Sequence, residues 1–253
     1  MKLAFSKPTK TDEQQRELIG SFRECGYEGL QLKLGQYSAY LDDPTSIFSD
    51  YPRLEGAISG LIVGTRPDDE ASVAQLRKVT RFANRVAADL IVVVPGGARE
   101  GLSRDDIAAI TAGFAALGRE AADTGARLTL HDHADSPLML PEDHEVFFEQ
   151  GSETPYGLTV DTAHLVKSGV TDVAGLIRRF GASIDNFHIK DIAAGEWAVL
   201  GDGEIDFDPI FQAIHDIGYA GWVSCDEESG SELRAAMEQC YRVLADGLGL
   251  SGG

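Results

Sequence analysis

The sequence lacks three features that would place it in a specialised class of protein. None of its apolar runs approaches the ~20 residues that a membrane-spanning helix requires. Its three cysteines, Cys25, Cys225 and Cys240, are odd in number and far apart, which argues against a disulfide framework and suits a reducing compartment. Proline and charges interrupt residues 1–15, unlike a secretory signal. We therefore expect a soluble, cytoplasmic protein.

Basic residues are also scarce. The chain has 22 lysines and arginines against 41 aspartates and glutamates, and its formal net charge is −19. A protein this acidic repels phosphate backbones and lacks the basic surface that supplies non-specific affinity for nucleic acid. The remaining composition is ordinary for a globular domain, with 43% hydrophobic residues. We expect a small-molecule ligand and neither a nucleic acid nor a membrane as partner.

What the sequence has is a regular alternation of β-like runs and amphipathic helical stretches. The β-like runs are Lys2–Ser6, Gly29–Leu34, Ala57–Val63, Asp89–Pro95, Arg127–His133, Gly157–Asp161, Asn186–Lys190 and Trp222–Asp226. Alternating strands and helices imply right-handed crossovers and a parallel sheet. Eight such units favour the α/β class and a (β/α)8 TIM barrel over an open sheet, with one domain over residues 1–250.

Polar residues recur on one face of the later strands. Because side chains alternate along a strand, His131 opposes the leucines beside it, and Asp161, His188 and Asp226 likewise oppose apolar neighbours. The outward face of a barrel strand lies under helices, so the polar set should point inward. Barrel enzymes keep their sites at the C-terminal ends of the strands. We therefore expect these four side chains to converge at one mouth of the barrel.

A divalent metal would explain this convergence. Carboxylates and imidazoles that are desolvated together are costly unless they are paired, and a cation offsets that cost. The alternative is a set of buried polar residues that hydrogen-bond to one another, but matching positions on four successive strands favour the metal. Nitrogen and oxygen donors without a thiolate suit Mn²⁺ first, with Mg²⁺, Co²⁺, Fe²⁺ and Zn²⁺ left open.

Several neighbouring residues are further candidates. His133 and Glu228 each follow a predicted ligand by two positions, and either is an extra ligand, an acid/base group or a hydrogen-bonded rim residue. His164 lies just beyond strand six, where a substrate contact is favoured over a helix cap. Lys33 and Lys190 point inward, and each either forms an ion pair or contacts the substrate.

Other features favour structural or minor roles. His144 and His215 lie in amphipathic helical stretches and are expected at the surface. The glycine-containing segment 201–207 does not directly follow a strand and is rich in acidic residues, so a turn is favoured over a phosphate-binding loop. The predicted mouth loops contain few basic residues, mainly Arg66 and Arg99. This scarcity favours a neutral substrate over a phosphorylated one.

Three motifs resemble the xylose isomerase-like barrel superfamily, the sugar phosphate isomerase/epimerase group. The segment VDTAHL (160–165) is similar to its Asp-Thr-Gly-His motif on strand six, FHIKD (187–191) to its His-x-Lys-Asp on strand seven, and GYAGWVSCDEE (218–228) to its Gly-Tyr-x-Gly-Trp and acidic strand end. The resemblance implies a TIM barrel with Asp161 and His188 as metal ligands and His164 and Lys190 near the substrate. Barrels of this group often pair, so a homo-oligomer is compatible with it.

Two positions depart from the pattern of the epimerases in this group. His131 and Asp226 stand where the epimerases carry the two glutamates that move a proton on opposite faces of the carbon next to a carbonyl. We expect a metal-dependent isomerase or epimerase of a sugar or keto-sugar. A lyase that dehydrates an inosose-like or dehydroshikimate-like keto-polyol is equally compatible. The candidate residues are, for catalysis, His133, His164, Lys190 and Glu228; for substrate binding, Lys33 and Trp197; and for the metal, His131, Asp161, His188 and Asp226.

Two remote alternatives remain. The first is the apurinic endonuclease branch of the group, whose relatives hold three zinc ions with additional histidines and aspartates. Beyond the HIKD motif the sequence has no Asp-x-His, strands three and four contain no His, and the net charge is unsuited to DNA. The second is a barrel subunit without catalytic activity, which the metal content of the protein would distinguish.

Overall fold

The parallel strands of this chain close into a barrel, as a computed structural model of residues 1–149 and 156–250 shows. The barrel strands are β1 (Lys2–Ser6), β2 (Gly29–Lys33), β3 (Ile58–Thr65), β4 (Leu90–Pro95), β5 (Leu128–His131), β6 (Tyr156–Asp161), β7 (Ile184–Ile189) and β10 (Trp222–Asp226). Each strand pairs in parallel with its neighbours in the chain, and β10 pairs with β1. The predicted single-domain (β/α)8 TIM barrel is confirmed.

Helices surround the barrel on the outside. They are α1 (Asp12–Ser21), α2 (Leu34–Tyr37), α3 (Ser46–Asp50), α4 (Glu70–Val86), α5 (Arg104–Ala122), α6 (Pro141–Glu149), α7 (Thr162–Lys167), α8 (Val173–Phe180), α9 (Asp208–Asp216) and α10 (Leu233–Gly247). In α4, Asp69 caps the N-terminus by accepting backbone N–H groups of Ala71 and Ser72. Its buried residues, from Val73 to Val86, recur every three or four positions, so the helix packs one apolar stripe on the barrel.

The strand predicted over Arg127–His133 is shorter than expected. Its pairing with β4 ends at Leu130 and its pairing with β6 ends at His131. The last backbone bond to β6 is donated by the N–H of Asp132 to Thr159 O at 3.1 Å. His133 therefore lies in the loop that follows β5. Cys225 faces outward from β10 and is buried in the apolar core, and all three cysteines are free.

A layer of buried polar side chains crosses the barrel interior. Thr129 and Thr159 hydrogen-bond through their hydroxyls at 2.9 Å, and Asn186 Nδ2 donates to Thr159 Oγ1 at 3.4 Å. Gln31 Nε2 donates to Asn186 Oδ1 at 2.9 Å. These four residues, which we call the polar floor, come from four strands and are each fully buried. The floor lies one layer below the C-terminal ends of β5 to β7, because Thr129, Thr159 and Asn186 each precede an inward-facing residue at the mouth by two positions.

A short antiparallel hairpin, β8 (Asp191–Ala193) and β9 (Glu196–Ala198), follows β7 directly. The Asp191 carboxylate accepts backbone N–H groups from Ile192 at 2.9 Å, Gly201 and Gly203 at 3.0 Å and Ile205 at 3.3 Å. Segment 201–207 is thus the predicted turn, wrapped around an internal carboxylate. Among the described residues, no helix has both the length and the apolar content to cross a membrane.

Candidate metal centre and active site

Three of the four predicted metal ligands converge at one mouth of the barrel. His131, Asp161 and His188 each offer a ligand atom, and these atoms all lie within 4.8 Å of one another. His131 Nε2 is 3.3 Å, and His188 Nδ1 is 3.7 Å, from Asp161 Oδ2. The strand register explains the proximity, because Asp161 is directly opposite His188 in the β6–β7 ladder. All three side chains are almost completely buried.

The protonation states of this group suit a cation. Burial lowers the pKa of His131 to about 4, so its imidazole is neutral at physiological pH. Burial alone would raise the pKa of Asp161, but the surrounding imidazoles and the Lys190 ammonium outweigh it and hold that pKa well below its ordinary value. His188 Nδ1 is buried and has no hydrogen-bond partner among the described residues. Metal ligands must be deprotonated, and the neutral His131 and the ionised Asp161 meet that requirement.

Asp226, the fourth predicted ligand, lies beside this group but is engaged elsewhere. Its Oδ2 is 4.0 Å from His188 Nδ1. Its Oδ1 is 2.7 Å from Lys33 Nζ, and its Oδ2 is 3.5 Å from Lys190 Nζ. Asp226 does not belong to the three-residue group defined above. Its assignment as a ligand stays a prediction.

Two lysines and two carboxylates form a charged cluster on the opposite side of the mouth. Lys33 Nζ is 2.9 Å from Glu228 Oε1, and Lys190 Nζ contacts Glu228 Oε2. We call Lys33, Lys190, Asp226 and Glu228 the lysine–carboxylate cluster. Burial alone would lower the pKa of Lys190, but Asp226, Asp161 and Glu228 outweigh it and raise that pKa above its ordinary value. Burial opposes ionisation of Glu228 too, but the two ammonium groups lower its pKa. All four residues therefore remain charged at neutral pH.

Aromatic rings form a third side of the mouth. Helix α7 begins at Thr162, so His164 lies in its first turn and not in a loop. The His164 ring centroid is 4.1 Å from that of His133 and 4.7 Å from that of Trp197, which the hairpin carries over the site. Trp197 also faces the Lys190 ammonium at 4.3 Å. The structure thus brings the remaining predicted residues together at the same mouth.

His164 is a fixed hydrogen-bond donor. Its Nδ1 accepts the backbone N–H of Ala134 at 3.0 Å, so the proton of the neutral ring resides on Nε2. Burial lowers the pKa of His164 to about 3, which keeps the ring neutral. Its own backbone N–H donates to Asp161 Oδ1 at 3.0 Å. A neutral imidazole in this state can donate a hydrogen bond to a substrate oxygen without acting as a base.

The prediction that His144 lies at the surface is wrong. The side chain is buried under β5, and its Nε2 is 2.6 Å from Asp132 Oδ1. Asp132 points outward beneath helix α6, where a buried carboxylate needs a partner. An acidic residue on the outward face of the predicted strand was therefore the signal for a buried His144. His215 is exposed, as predicted.

Sequence reasoning also missed Gln31. Its Oε1 is 2.7 Å from His188 Nε2, across the barrel from β7. The only signal was a polar residue between two leucines of β2.

The two arginines predicted near the mouth are both paired with carboxylates. Arg66 lies 2.8 Å from Asp68, and Arg99 lies 2.9 Å from Asp143. Their charges are therefore balanced locally, and the neutral substrate expected from the sequence stays a prediction.

Comparison with known proteins identifies a matching family and several sequence relatives. A family model described as xylose isomerase-like TIM barrel matches residues 23–245. An inosose dehydratase of Clostridium beijerinckii is 30% identical over 150 residues, which are 52% of this chain and 50% of that protein. An inosose dehydratase of Lacticaseibacillus casei is 26% identical over 248 residues, 84% of this chain and 81% of that protein. The chain spans about half the length of the C. beijerinckii protein and of two inosose dehydratases of Clostridium botulinum.

Solved structures share the fold at low sequence identity. The IolI protein, in a structure described with a binding zinc atom, superposes with a TM-score of 0.81 at 17% identity and full coverage of both chains. An L-ribulose 3-epimerase superposes with a TM-score of 0.80 at 17% identity, covering 98% of this chain and 95% of the other. At such identity the likeness establishes the barrel architecture.

Proposed function

Because this chain belongs to the xylose isomerase-like TIM barrel family, we propose that it is a divalent-metal-dependent enzyme that removes a proton next to the carbonyl of a sugar or cyclitol. The observation that carries the proposal is the convergence of His131, Asp161 and His188 at the barrel mouth. Two buried imidazoles whose Nδ1 atoms have no hydrogen-bond partner among the described residues, beside an ionised carboxylate, are better explained by a cation than by packing alone.

The three residues of the metal centre would hold the ion. When bound, a divalent cation supplies Lewis-acid polarisation of a substrate carbonyl, which makes the neighbouring C–H more acidic. Imidazole donors suit Zn²⁺, Fe²⁺ and Co²⁺ at least as well as Mn²⁺, the first choice from sequence. The zinc of the IolI structure is consistent with an ion of this class.

Glu228 is the proposed base. Its carboxylate is ionised, partly exposed to the mouth and held between Lys33 and Lys190. A carboxylate in this state can accept a proton from a substrate C–H that lies within hydrogen-bond reach. His164 would donate from Nε2 to a substrate oxygen, and Trp197 would cover the site and exclude water. His133, at the partly exposed rim, is the second candidate for proton transfer to or from solvent.

Lys190 is the proposed acid, and its contact with Glu228 couples the two groups. While Glu228 is ionised, it holds the proton on Lys190. Once Glu228 takes the substrate proton, the ammonium loses that stabilisation and becomes a stronger acid. Lys190 can then protonate a hydroxyl as its C–O bond breaks, and water leaves. Proton transfer from Glu228 to Lys190 restores both groups, so atoms and charge balance over one turnover.

Elimination of water is favoured over epimerisation by this arrangement. Epimerisation needs two groups that alternate as proton acceptor and donor on opposite faces of one carbon. Of the positions that carry glutamates in such enzymes, His131 faces the metal centre and Asp226 is neutralised by Lys33. One ionised base and one ammonium donor suit a lyase. The inosose dehydratases among the relatives support a keto-cyclitol as substrate.

The test is incubation of the purified protein with Zn²⁺ or Mn²⁺ and a panel of keto-cyclitols and ketoses in deuterated water. We expect loss of one water from a keto-cyclitol, detected by mass spectrometry. Deuterium in an isomer of unchanged mass apart from the label would instead establish an epimerase. Metal binding without turnover of any panel member, or no binding at all, would contradict the proposal in favour of a non-catalytic barrel. A cytoplasmic location, a homo-oligomer and the absence of a nucleic-acid partner stay predictions.

A further inference from the structure

We infer that Gln31 is a positioning residue that fixes the tautomer of His188, so that Nδ1 presents its lone pair to a divalent cation. This inference rests on the proposed metal centre. Gln31 lies in the middle of β2, on the far side of the barrel from β7, and its side chain is fully buried. Its Oε1 lies 2.7 Å from His188 Nε2.

The orientation of the Gln31 amide is determined by its other partner. Gln31 Nε2 donates to Asn186 Oδ1 at 2.9 Å, and Asn186 Nδ2 in turn donates to Thr159 Oγ1 at 3.4 Å. Reversing the Gln31 amide alone would place its oxygen against the oxygen of Asn186 and lose that bond. The polar floor therefore directs Oε1, an acceptor, towards the His188 ring.

The neighbouring strand leaves room for this side chain. Gly60 on β3 faces Gln31, and a Cβ at that position would lie 3.3 Å from the Cγ and Cδ of Gln31. A larger residue there would push the amide from its position. Because Gly60 has no side chain, the side chain of Gln31 can extend to the centre of the barrel.

An acceptor at Nε2 decides where the histidine proton resides. A neutral imidazole has one N–H, and facing Oε1 at 2.7 Å it must place that N–H on Nε2. The other tautomer would bring two lone pairs together and leave both buried groups unsatisfied. Nδ1 is therefore unprotonated. It faces Asp161 Oδ2 at 3.7 Å and has no hydrogen-bond partner among the described residues, as a metal-ligating nitrogen should.

The first experiment measures the tautomer directly in the metal-free full-length protein. Two-bond ¹H–¹⁵N correlation spectra of the histidine rings distinguish a proton on Nε2 from one on Nδ1, and a His188→Asn variant assigns the signals. We expect Nε2–H for His188. A proton on Nδ1 would overturn the inference. This outcome does not depend on whether the protein binds metal, so it is separate from the proposed function.

The second experiment measures Zn²⁺ affinity by calorimetry in three variants. Gln31→Leu removes the acceptor and should weaken binding by about 10- to 100-fold, the usual effect of losing an outer hydrogen-bond partner of a ligand. Gln31→Glu keeps an acceptor towards His188. The Asn186 amide can turn its N–H group to the second carboxylate oxygen, because the Thr159 hydroxyl can donate as well as accept, so this variant should bind within about threefold of the wild type. Thr129→Val, at the other end of the polar floor, is the matched control and should also stay within about threefold.

The outcomes separate positioning from packing. Unchanged affinity in Gln31→Leu, or an equal loss in Thr129→Val, would overturn the inference. If Gln31→Leu does not fold, as judged by circular dichroism, Gln31→Glu still decides, because a tenfold or larger loss there contradicts the role of an acceptor. If the wild type binds no divalent cation, the proposed function fails, while the tautomer measurement still tests Gln31.

Discussion

Asp132 and His144 meet beneath helix α6, with Oδ1 of the aspartate 2.6 Å from Nε2 of the histidine and both side chains at most 3% exposed. Asp132 directly follows His131, so this contact attaches α6 to the strand end that carries a residue of the metal centre. Burial raises the pKa of Asp132 above its ordinary value, and His144 opposes this shift only in part.

Replacing His144 by alanine should therefore destabilise the protein. The change leaves the buried Asp132 without its partner, and an unsatisfied buried polar group of this kind costs about 1–3 kcal/mol. Urea denaturation followed by circular dichroism measures the loss. His215→Ala on α9, where the histidine is exposed, is the control and should change the free energy of unfolding by less than about 0.5 kcal/mol. Equal effects of the two substitutions would show that the contact contributes nothing.

Asp161→Asn should abolish tight metal binding while preserving the fold. Asp161 also caps helix α7, and asparagine is an equally good N-cap, so the substitution removes charge but retains the cap. We expect Zn²⁺ affinity to fall by more than about 100-fold, beyond the usual effect of an outer-shell change. Asp172→Asn makes the same chemical change at the cap of α8, away from the mouth. Loss of binding in both variants would point to a general effect of charge.

The metal-free protein should lose stability as the pH falls from 7 to 5. In the unfolded state His131 and His164 take up a proton near pH 6.5, but in the folded state only near pH 4 and pH 3, respectively. The unfolded state therefore binds more protons in this window, and stability falls by about 2 kcal/mol for each histidine. Denaturation at a series of pH values checks this. The double variant His131→Asn, His164→Gln should show a flatter profile, and an unchanged slope would refute the assignment.

Lys33→Met should move the acid limb of the pH–rate profile to higher pH. Glu228 must be ionised to act as a base, and Lys33 is one of two ammonium groups that lower its pKa. Removing that charge raises the pKa, so activity is lost at a higher pH, by about one unit or more. Lys167→Met, which removes a cation that faces Trp197 but pairs with no cluster carboxylate, is the control. Identical profiles for all three proteins would exclude Glu228 as the base.

The barrel could be predicted from the sequence because its signals are local. Alternation of strands and helices, and the two-residue period within strands, depend on neighbouring positions alone. The same period placed His131, Asp161 and His188 on inward faces, and parallel pairing then brought their strand ends together. The end of β5 was less predictable, because it depends on where the partner strands stop.

Contacts between distant parts of the chain could not be predicted in this way. Gln31 and His188 are 157 positions apart, and their contact requires a closed barrel of known register. The pairing of Asp226 with Lys33 arises likewise from strands at opposite ends of the chain. Hydrophobic periodicity predicts which face of a helix packs against the barrel. It does not predict how far neighbouring elements bury residues at the border of that face, so His144 was expected at the surface.

The carboxylate of Asp191 accepts hydrogen bonds from the loop that follows the hairpin. The backbone N–H groups of Gly201, Gly203 and Ile205 converge in the way that phosphate-binding loops use to bind a phosphoryl group. In this protein all three donate to the Asp191 carboxylate instead. These N–H groups are therefore unavailable to an external anion, and their bonds to Asp191 tie the loop to the first strand of the hairpin.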